Sequence, residues 1–312
     1  MAREAPAGPL KVFLWASPRT VSTSFLKCMT YVPDTVAWHE PYLQIGKFSY
    51  QVEDPIFSKT YREFAEKHGG ASEVAKIESG YDASDKDFDW LNEQLEGDFP
   101  GKKMVFVKDF ASSILSESRH DKIPMGFRHT FLIRNPRKGV KSMIKLFTKA
   151  QIPEFLKNPN LTPDKIRPVR HLNELWKYVK AEGLEPRPVI VDIDELMENP
   201  KEMLEAYCKE IGIPFTEDLL TWPAGDDVMT EIWMVPKQTI LTFRTENMHE
   251  GTFTSTGFHA AKAPTPIGDS SSAEEELMNQ IPPDASQMLK GMVDREFPYY
   301  EELYAERLTL KK

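Results

Sequence analysis

The chain has 312 residues, with 39 Lys and Arg against 48 Asp and Glu, a formal net charge of −9. At 40% hydrophobic residues it can bury a large core unaided, and its two cysteines, Cys28 and Cys208, lack the spacing of a zinc site or a disulfide framework. The apolar run before Ser17 is too short for a signal segment, and no stretch reaches the ~18 apolar residues of a membrane span. The expectation is therefore a cytoplasmic protein with no membrane partner, and the acidic average argues against nucleic acid as a partner.

Five runs read as strands: Lys11–Ala16, Thr35–Trp38, Met104–Val107, Thr130–Ile133 and Pro188–Ile193. Each is continuously apolar rather than alternating, as expected of strands covered on both faces of a parallel sheet. Helical stripes intervene: Phe25, Cys28, Met29 and Val32; Val140, Met143, Ile144 and Phe147; Leu172, Leu175, Trp176 and Val179; Leu204, Tyr207, Cys208 and Ile211. The alternation predicts one doubly wound α/β domain over residues 1–312, with a mainly parallel five-stranded sheet. Residues 45–103 are long, acidic and aromatic-rich for a connection, and are expected to form a helical insertion over the site. Residues 249–275, rich in Gly, Ser, Thr and Pro, read as a flexible loop. Residues 283–312 read as an amphipathic helical end that docks on the domain.

The charge is unevenly placed. Residues 54–103 carry 12 acidic and 7 basic side chains, and residues 270–312 carry 9 and 5, so these two segments hold the whole negative excess. Residues 127–150, by contrast, carry basic side chains and no acid.

The first strand runs into a polar turn, Ser17-Pro18-Arg19-Thr20-Val21-Ser22-Thr23-Ser24, and then a helix from about Ser22. A helix N-terminus with hydroxyls and a guanidinium beside it suits an anion, although Ser and Thr there are ordinarily caps. The turn has no glycine and no Lys-Ser/Thr pair, so it is not a nucleoside-triphosphate loop of the G-x-x-x-x-G-K-[ST] type. At the end of the fourth strand, Arg134 precedes Asn135 as N-cap and Pro136 at the first helical position, and Ser142 follows eight residues after Arg134. In an open parallel sheet both arginines fall at the C-terminal strand edge, where ligands bind.

These residues resemble the sulfotransferases that use 3′-phosphoadenosine 5′-phosphosulfate (PAPS). Ser17–Thr23 resembles that family's 5′-phosphosulfate loop, Ile133–Ser142 its 3′-phosphate motif, and Val189–Phe215 its later strand, turn and helix. The resemblance spans residues 11 to about 215, with 45–103 unmatched. It implies a P-loop-like strand–loop–helix in which Arg19, Thr20, Val21, Ser22, Thr23 and Ser24 cradle the 5′-phosphosulfate, while Arg134 and Ser142 take the 3′-phosphate. It also implies PAPS as donor, 3′,5′-adenosine bisphosphate (PAP) as product and no required metal. Val21 departs from the usual glycine of the loop. Phe110 stands where many small-molecule members carry a basic His, and the family's R-K-G segment is missing, with Arg244 and residues 252–257 as candidate substitutes.

Trp38-His39-Glu40-Pro41 follows the second strand and resembles the H/F-E-P segment of carbohydrate and bacterial sulfotransferases. This implies Glu40 as general base for an acceptor hydroxyl, with His39 second and Asp109 or His129 as outsiders. Lys108 is a candidate to neutralise the leaving phosphate. Tyr42, Phe48, Tyr50, Tyr81, Trp90 and Trp233 are either core or acceptor-lining. The function implied is sulfuryl transfer to a small soluble hydroxyl or amine acceptor. The alternatives are a non-catalytic nucleotide-binding relative or another phosphate-handling enzyme.

Overall fold

The computed structural model describes residues 8–52, 63, 66–67, 70–115, 119–139, 142, 167–245, 250–259 and 283–310. Its centre is a sheet of five parallel strands: β1 (Leu10–Ala16), β2 (Thr35–His39), β3 (Met104–Phe110), β4 (Arg128–Ile133) and β5 (Val189–Asp192), in the order β2-β3-β1-β4-β5. All five expected strands are present, with ends that differ by at most three residues. The Val140–Phe147 stripe lies outside the described residues.

The continuous apolar runs arise because alternate side chains of one strand enter two different cores. Val12, Leu14 and Ala16 of β1 pack with Phe25 and Met29 of the helix α1 (Ser22–Thr30) and with Leu204 and Tyr207 of the helix Pro200–Ile211. Phe13 and Trp15 point the other way. They meet Tyr42 and Ile45 of the helix α2 (Pro41–Phe48), Leu172 and Leu175 of the helix Pro168–Ala181, and Leu303 of the helix Pro283–Ala305. Side chains buried this fully each contribute about 1.5–3 kcal/mol.

Two of the connections pack closely in their described parts. The first contains the helix Phe88–Glu96. Its Phe88, Leu91 and Leu95 fill the second core against the sheet face. Its C-terminal carbonyls, Leu95 O, Glu96 O and Gly97 O, accept from Lys11 Nζ at 3.1, 2.7 and 2.9 Å, at the opposite end of β1 from the site. The loop expected over 249–275 is fastened in its described part, residues 250–259. Trp222 N donates to Thr256 O at 2.9 Å and Phe258 N to Leu220 O at 3.2 Å. Gly257, at φ +155°, approaches Leu220 so closely that a Cβ there would lie 2.3 Å from its carbonyl oxygen. Lys27, buried in α1, donates to Gly225 O, Thr252 O and Ser255 O at 3.1, 3.3 and 3.5 Å and holds the segment from the other side. Residues 260–275 lie outside the described residues.

The C-terminal helix docks as expected: Glu296 accepts from Val169 N and Arg170 N at 2.8 and 2.9 Å, capping the helix Pro168–Ala181. No helix among the described residues is long and apolar enough to cross a membrane.

Candidate functional site

The parallel register sets the C-terminal ends of the strands side by side. Ala16 pairs with Phe110 and Leu132, His39 with Lys108, and Ile133 with Asp192. The chain runs from β1 to one side and from β4 to the other, so the crevice of the switch point opens beside the loop that follows β1.

That loop is tightly wound. Thr20 Oγ1 donates to Ser17 O at 2.8 Å, and Arg19 and Val21 take φ of 69° and 59°. Val21 stands where glycine is usual and nevertheless adopts glycine's left-handed conformation, at a cost of about 1–2 kcal/mol. Left-handed turns of this kind gather successive N–H groups into an anion-binding concavity. The helix α1 then starts at Ser22 with no side-chain cap on its first N–H groups. Thr20, Ser22 and Ser24 are buried and Thr23 is half-buried.

Three residues named from sequence spacing meet here. Arg134, just past β4, donates from Nη1 to Arg19 O at 2.8 Å, and Arg19 Nε donates to Ser142 Oγ at 3.1 Å. Burial, and then the charge of Arg134, push the Arg19 pKa down. Among the described residues no carboxylate pairs with Arg19. Arg134 is partly balanced by Asp194, whose Oδ1 lies 3.7 Å from its Nε, whereas the Arg19 charge beside it is left for an anion to join.

A second group lies at the ends of β2 and β3. Glu40, at φ 52°, begins α2, and its N–H donates to Lys108 O at 2.6 Å. This brings its carboxylate onto Lys108 Nζ in a buried ion pair. His39 Nε2 is 3.5 Å from Glu40 Oε1, and Gln44 Nε2 donates to Glu40 Oε2 at 3.4 Å while accepting from Thr239 Oγ1 at 2.9 Å. Burial works to raise the Glu40 pKa, but the attractions of Lys108, His39 and Lys47 outweigh it and hold the carboxyl well below the usual range. Burial pulls the Lys108 pKa down against the pull of Glu40 and Asp109. The Lys108 ammonium also sits 3.8 Å from the centre of the Phe110 ring. His39 stacks on Trp233 at 5.2 Å with 10° between the ring planes.

The outsiders for the base have other work. Asp109 Oδ2 accepts from Tyr42 N and Leu43 N at 2.6 and 3.3 Å, closing the start of α2. Its Oδ1 accepts from Phe110 N and Ser113 Oγ. Burial and the Glu40 charge push Asp109 up to about 7. His129 lies inside β4, accepts from Trp15 Nε1 at 2.9 Å, and is pushed down to about 4 by burial. Arg244 is exposed near the end of the helix Lys237–Thr245, and no hydrogen bond or ion pair joins it to Arg19 or Arg134 among the described residues. Of the aromatic candidates, Tyr42 and Phe48 are buried, Tyr81 and Trp90 pack together at 5.1 Å, and Tyr50 is exposed. Trp233 touches the group around Glu40 through its stacking on His39. The sequence reading missed Gln44, Thr239 and Lys47, none of which carries a local signature. It also missed the pairing of Lys138 with Asp194 at 3.3 Å.

Residues 183–282 match the model of the sulfotransferase domain family. The match covers 100 of the chain's 312 residues. The matched stretch contains β5 but neither Arg19 nor Arg134. A curated relative, branched-chain-amino-acid aminotransferase-like protein 1 of Arabidopsis thaliana, is 24% identical over 232 residues, 73% of this chain and 34% of that protein. The chain thus spans about a third of that relative's length. Among solved structures, the sulfotransferase domain of the Synechococcus PCC 7002 olefin synthase is similar with a TM-score of 0.45 and 16% identity, covering 88% of this chain and 96% of that one. Mouse sulfotransferase SULT7A1 complexed with PAP is similar with a TM-score of 0.40 and 11% identity, covering 96% of this chain and 90% of that one.

Proposed function

We propose that the chain is a PAPS-dependent sulfotransferase that moves the sulfuryl group to a hydroxyl, or secondarily an amine, of a small soluble acceptor by in-line displacement, leaving PAP. The observation that carries the reading is the Arg19–Arg134 contact at the strand edge, with no carboxylate on Arg19 among the described residues. Such a pair fits a polyanionic nucleotide. In this reading the loop Arg19–Ser24 holds the 5′-phosphosulfate, and Arg134 with Ser142 holds the 3′-phosphate.

The donor supplies an activated sulfuryl group, and the chain's residues position it and stabilise charge. Arg19 faces the equatorial oxygens, on which negative charge spreads in the transition state. Glu40 takes the acceptor's proton as the oxygen–sulfur bond forms and the bridging sulfur–oxygen bond breaks, its electron pair leaving on the phosphate. A carboxylate locked to Lys108 is a poor base, so Lys108 must shift toward the leaving phosphate as the reaction proceeds. That shift strengthens Glu40 as a base while it neutralises the leaving group. His39, 3.5 Å from Glu40, is the second candidate for the proton.

The test is transfer from labelled PAPS to a panel of hydroxyl and amine acceptors. The wild-type chain is expected to label at least one acceptor, and Glu40→Gln to abolish transfer while still binding PAP. Tight PAP binding with no transfer to any acceptor would leave a nucleotide-binding protein and sink the enzymatic reading.

A further inference from the structure

Asp194 stands beside the arginine cluster with two cations on one of its oxygens. Its Oδ1 lies 3.7 Å from Arg134 Nε and 3.3 Å from Lys138 Nζ. The Arg134 Nε is buried and makes no hydrogen bond among the described residues. Among the described residues Asp194 is the carboxylate paired with this cluster of three cations, Arg19, Arg134 and Lys138, so positive charge is in excess there, as a phosphate dianion requires.

The two sides of this cluster differ in freedom. Asp194 is fixed at the start of the helix Ile193–Glu198, where its N–H donates to Asp192 Oδ1 at 2.8 Å. Asp192 is itself held by Tyr300 Oη at 2.9 Å. Lys138, four residues after Arg134, keeps 53% of its side chain exposed. A phosphate arriving at Arg134 would draw the lysine off Asp194, whereas the backbone of Asp194 is held in place by Asp192.

We propose that Lys138 is a third cation of the 3′-phosphate subsite, and that Asp194 holds it in reserve and limits the affinity of that subsite. The inference rests on the PAPS reading above. Lys138 binds the 3′-phosphate when the nucleotide is present and returns to Asp194 when it leaves. Asp194, negative beside the bound phosphate, weakens the complex and favours release of PAP.

The experiment is calorimetric titration of the full chain with PAP and with adenosine 5′-phosphate, which lacks the 3′-phosphate. Lys138→Ala should weaken PAP about five- to twentyfold and change adenosine 5′-phosphate less than twofold, with Lys138→Arg restoring most of the loss. Asp194→Asn should tighten PAP about threefold or more. Equal effects of Lys138→Ala on both nucleotides, or weaker PAP binding in Asp194→Asn, would overturn the inference while leaving the donor assignment intact. A wild-type chain that binds no PAP would overturn both. Circular dichroism and urea midpoints matching the wild type establish that the variants are folded.

Discussion

Replacing Lys108 by Met tests the energetic core of the site. Lys108 is 0% exposed and Glu40 5% exposed, so the substitution removes a buried ammonium and leaves a buried carboxylate facing its full desolvation penalty. Breaking a buried pair from one side costs about 3–5 kcal/mol. Lys47 still attracts Glu40, which places the expected loss at roughly 3 kcal/mol at pH 8. The loss must also depend on pH. In the wild type the Glu40 pKa is depressed on folding, so its contribution is present above the ordinary carboxylate range and is lost as pH falls through the folded value. Without Lys108, burial is opposed only by His39 and Lys47, and the folded pKa rises above the unfolded one. Stability of the variant is then greatest at low pH and declines as pH rises through that raised value. The deficit against wild type should shrink by up to about 1.4 kcal/mol for each pH unit between those values. Urea unfolding at pH 8 and pH 5 reads it directly. A deficit below about 1 kcal/mol at pH 8, or one of equal size at both pH values, would refute the reasoning.

Substitutions at two further positions separate structural from chemical roles. Asp109→Ala removes the acceptor for Tyr42 N, Leu43 N and Phe110 N and should cost about 2–3 kcal/mol in urea unfolding. Asp109→Asn, which keeps one acceptor oxygen, should cost less and retain turnover; a stable but inactive Asp109→Asn would instead make Asp109 the base. Val21→Gly relieves left-handed strain of about 1–2 kcal/mol but loosens the unfolded chain by a comparable amount. It should leave stability within about 1 kcal/mol of wild type. A loss above 2 kcal/mol would show that the packing of Val21 on the first core outweighs its strain.

What was legible in the sequence was local. A buried strand, a hydroxyl-rich turn and a helix occupy consecutive residues, so the loop around Arg19 could be read as one unit. The interval from Arg134 to Ser142 likewise kept both residues at one edge. The base group was only half legible. Glu40 and Lys108 are 68 residues apart and meet because β2 and β3 pair with His39 beside Lys108, a register that no local pattern states. The link from Gln44 to Thr239 crosses 195 residues. Acidic and aromatic composition in residues 45–103 does not say which part of a sheet a segment covers, and the packing of Phe88, Leu91 and Leu95 on it appears only in the fold. Within the loop expected over 249–275, residues 250–259 are held by Lys27 from α1, a contact invisible in a Gly- and Thr-rich stretch.

The central claim is that Arg19 and Arg134 form a site for a nucleotide carrying a 3′-phosphate. Calorimetric titration of the wild type and of Arg134→Ala with PAP, adenosine 5′-phosphate and ATP tests it most directly. The account predicts that the wild type prefers PAP over both other nucleotides, by tenfold or more if the 3′-phosphate contact is worth the ~1.5–3 kcal/mol of a charged hydrogen bond. It also predicts that Arg134→Ala loses this preference while its adenosine 5′-phosphate affinity changes little. Preference for ATP, or an equal loss for PAP and adenosine 5′-phosphate in Arg134→Ala, would contradict it.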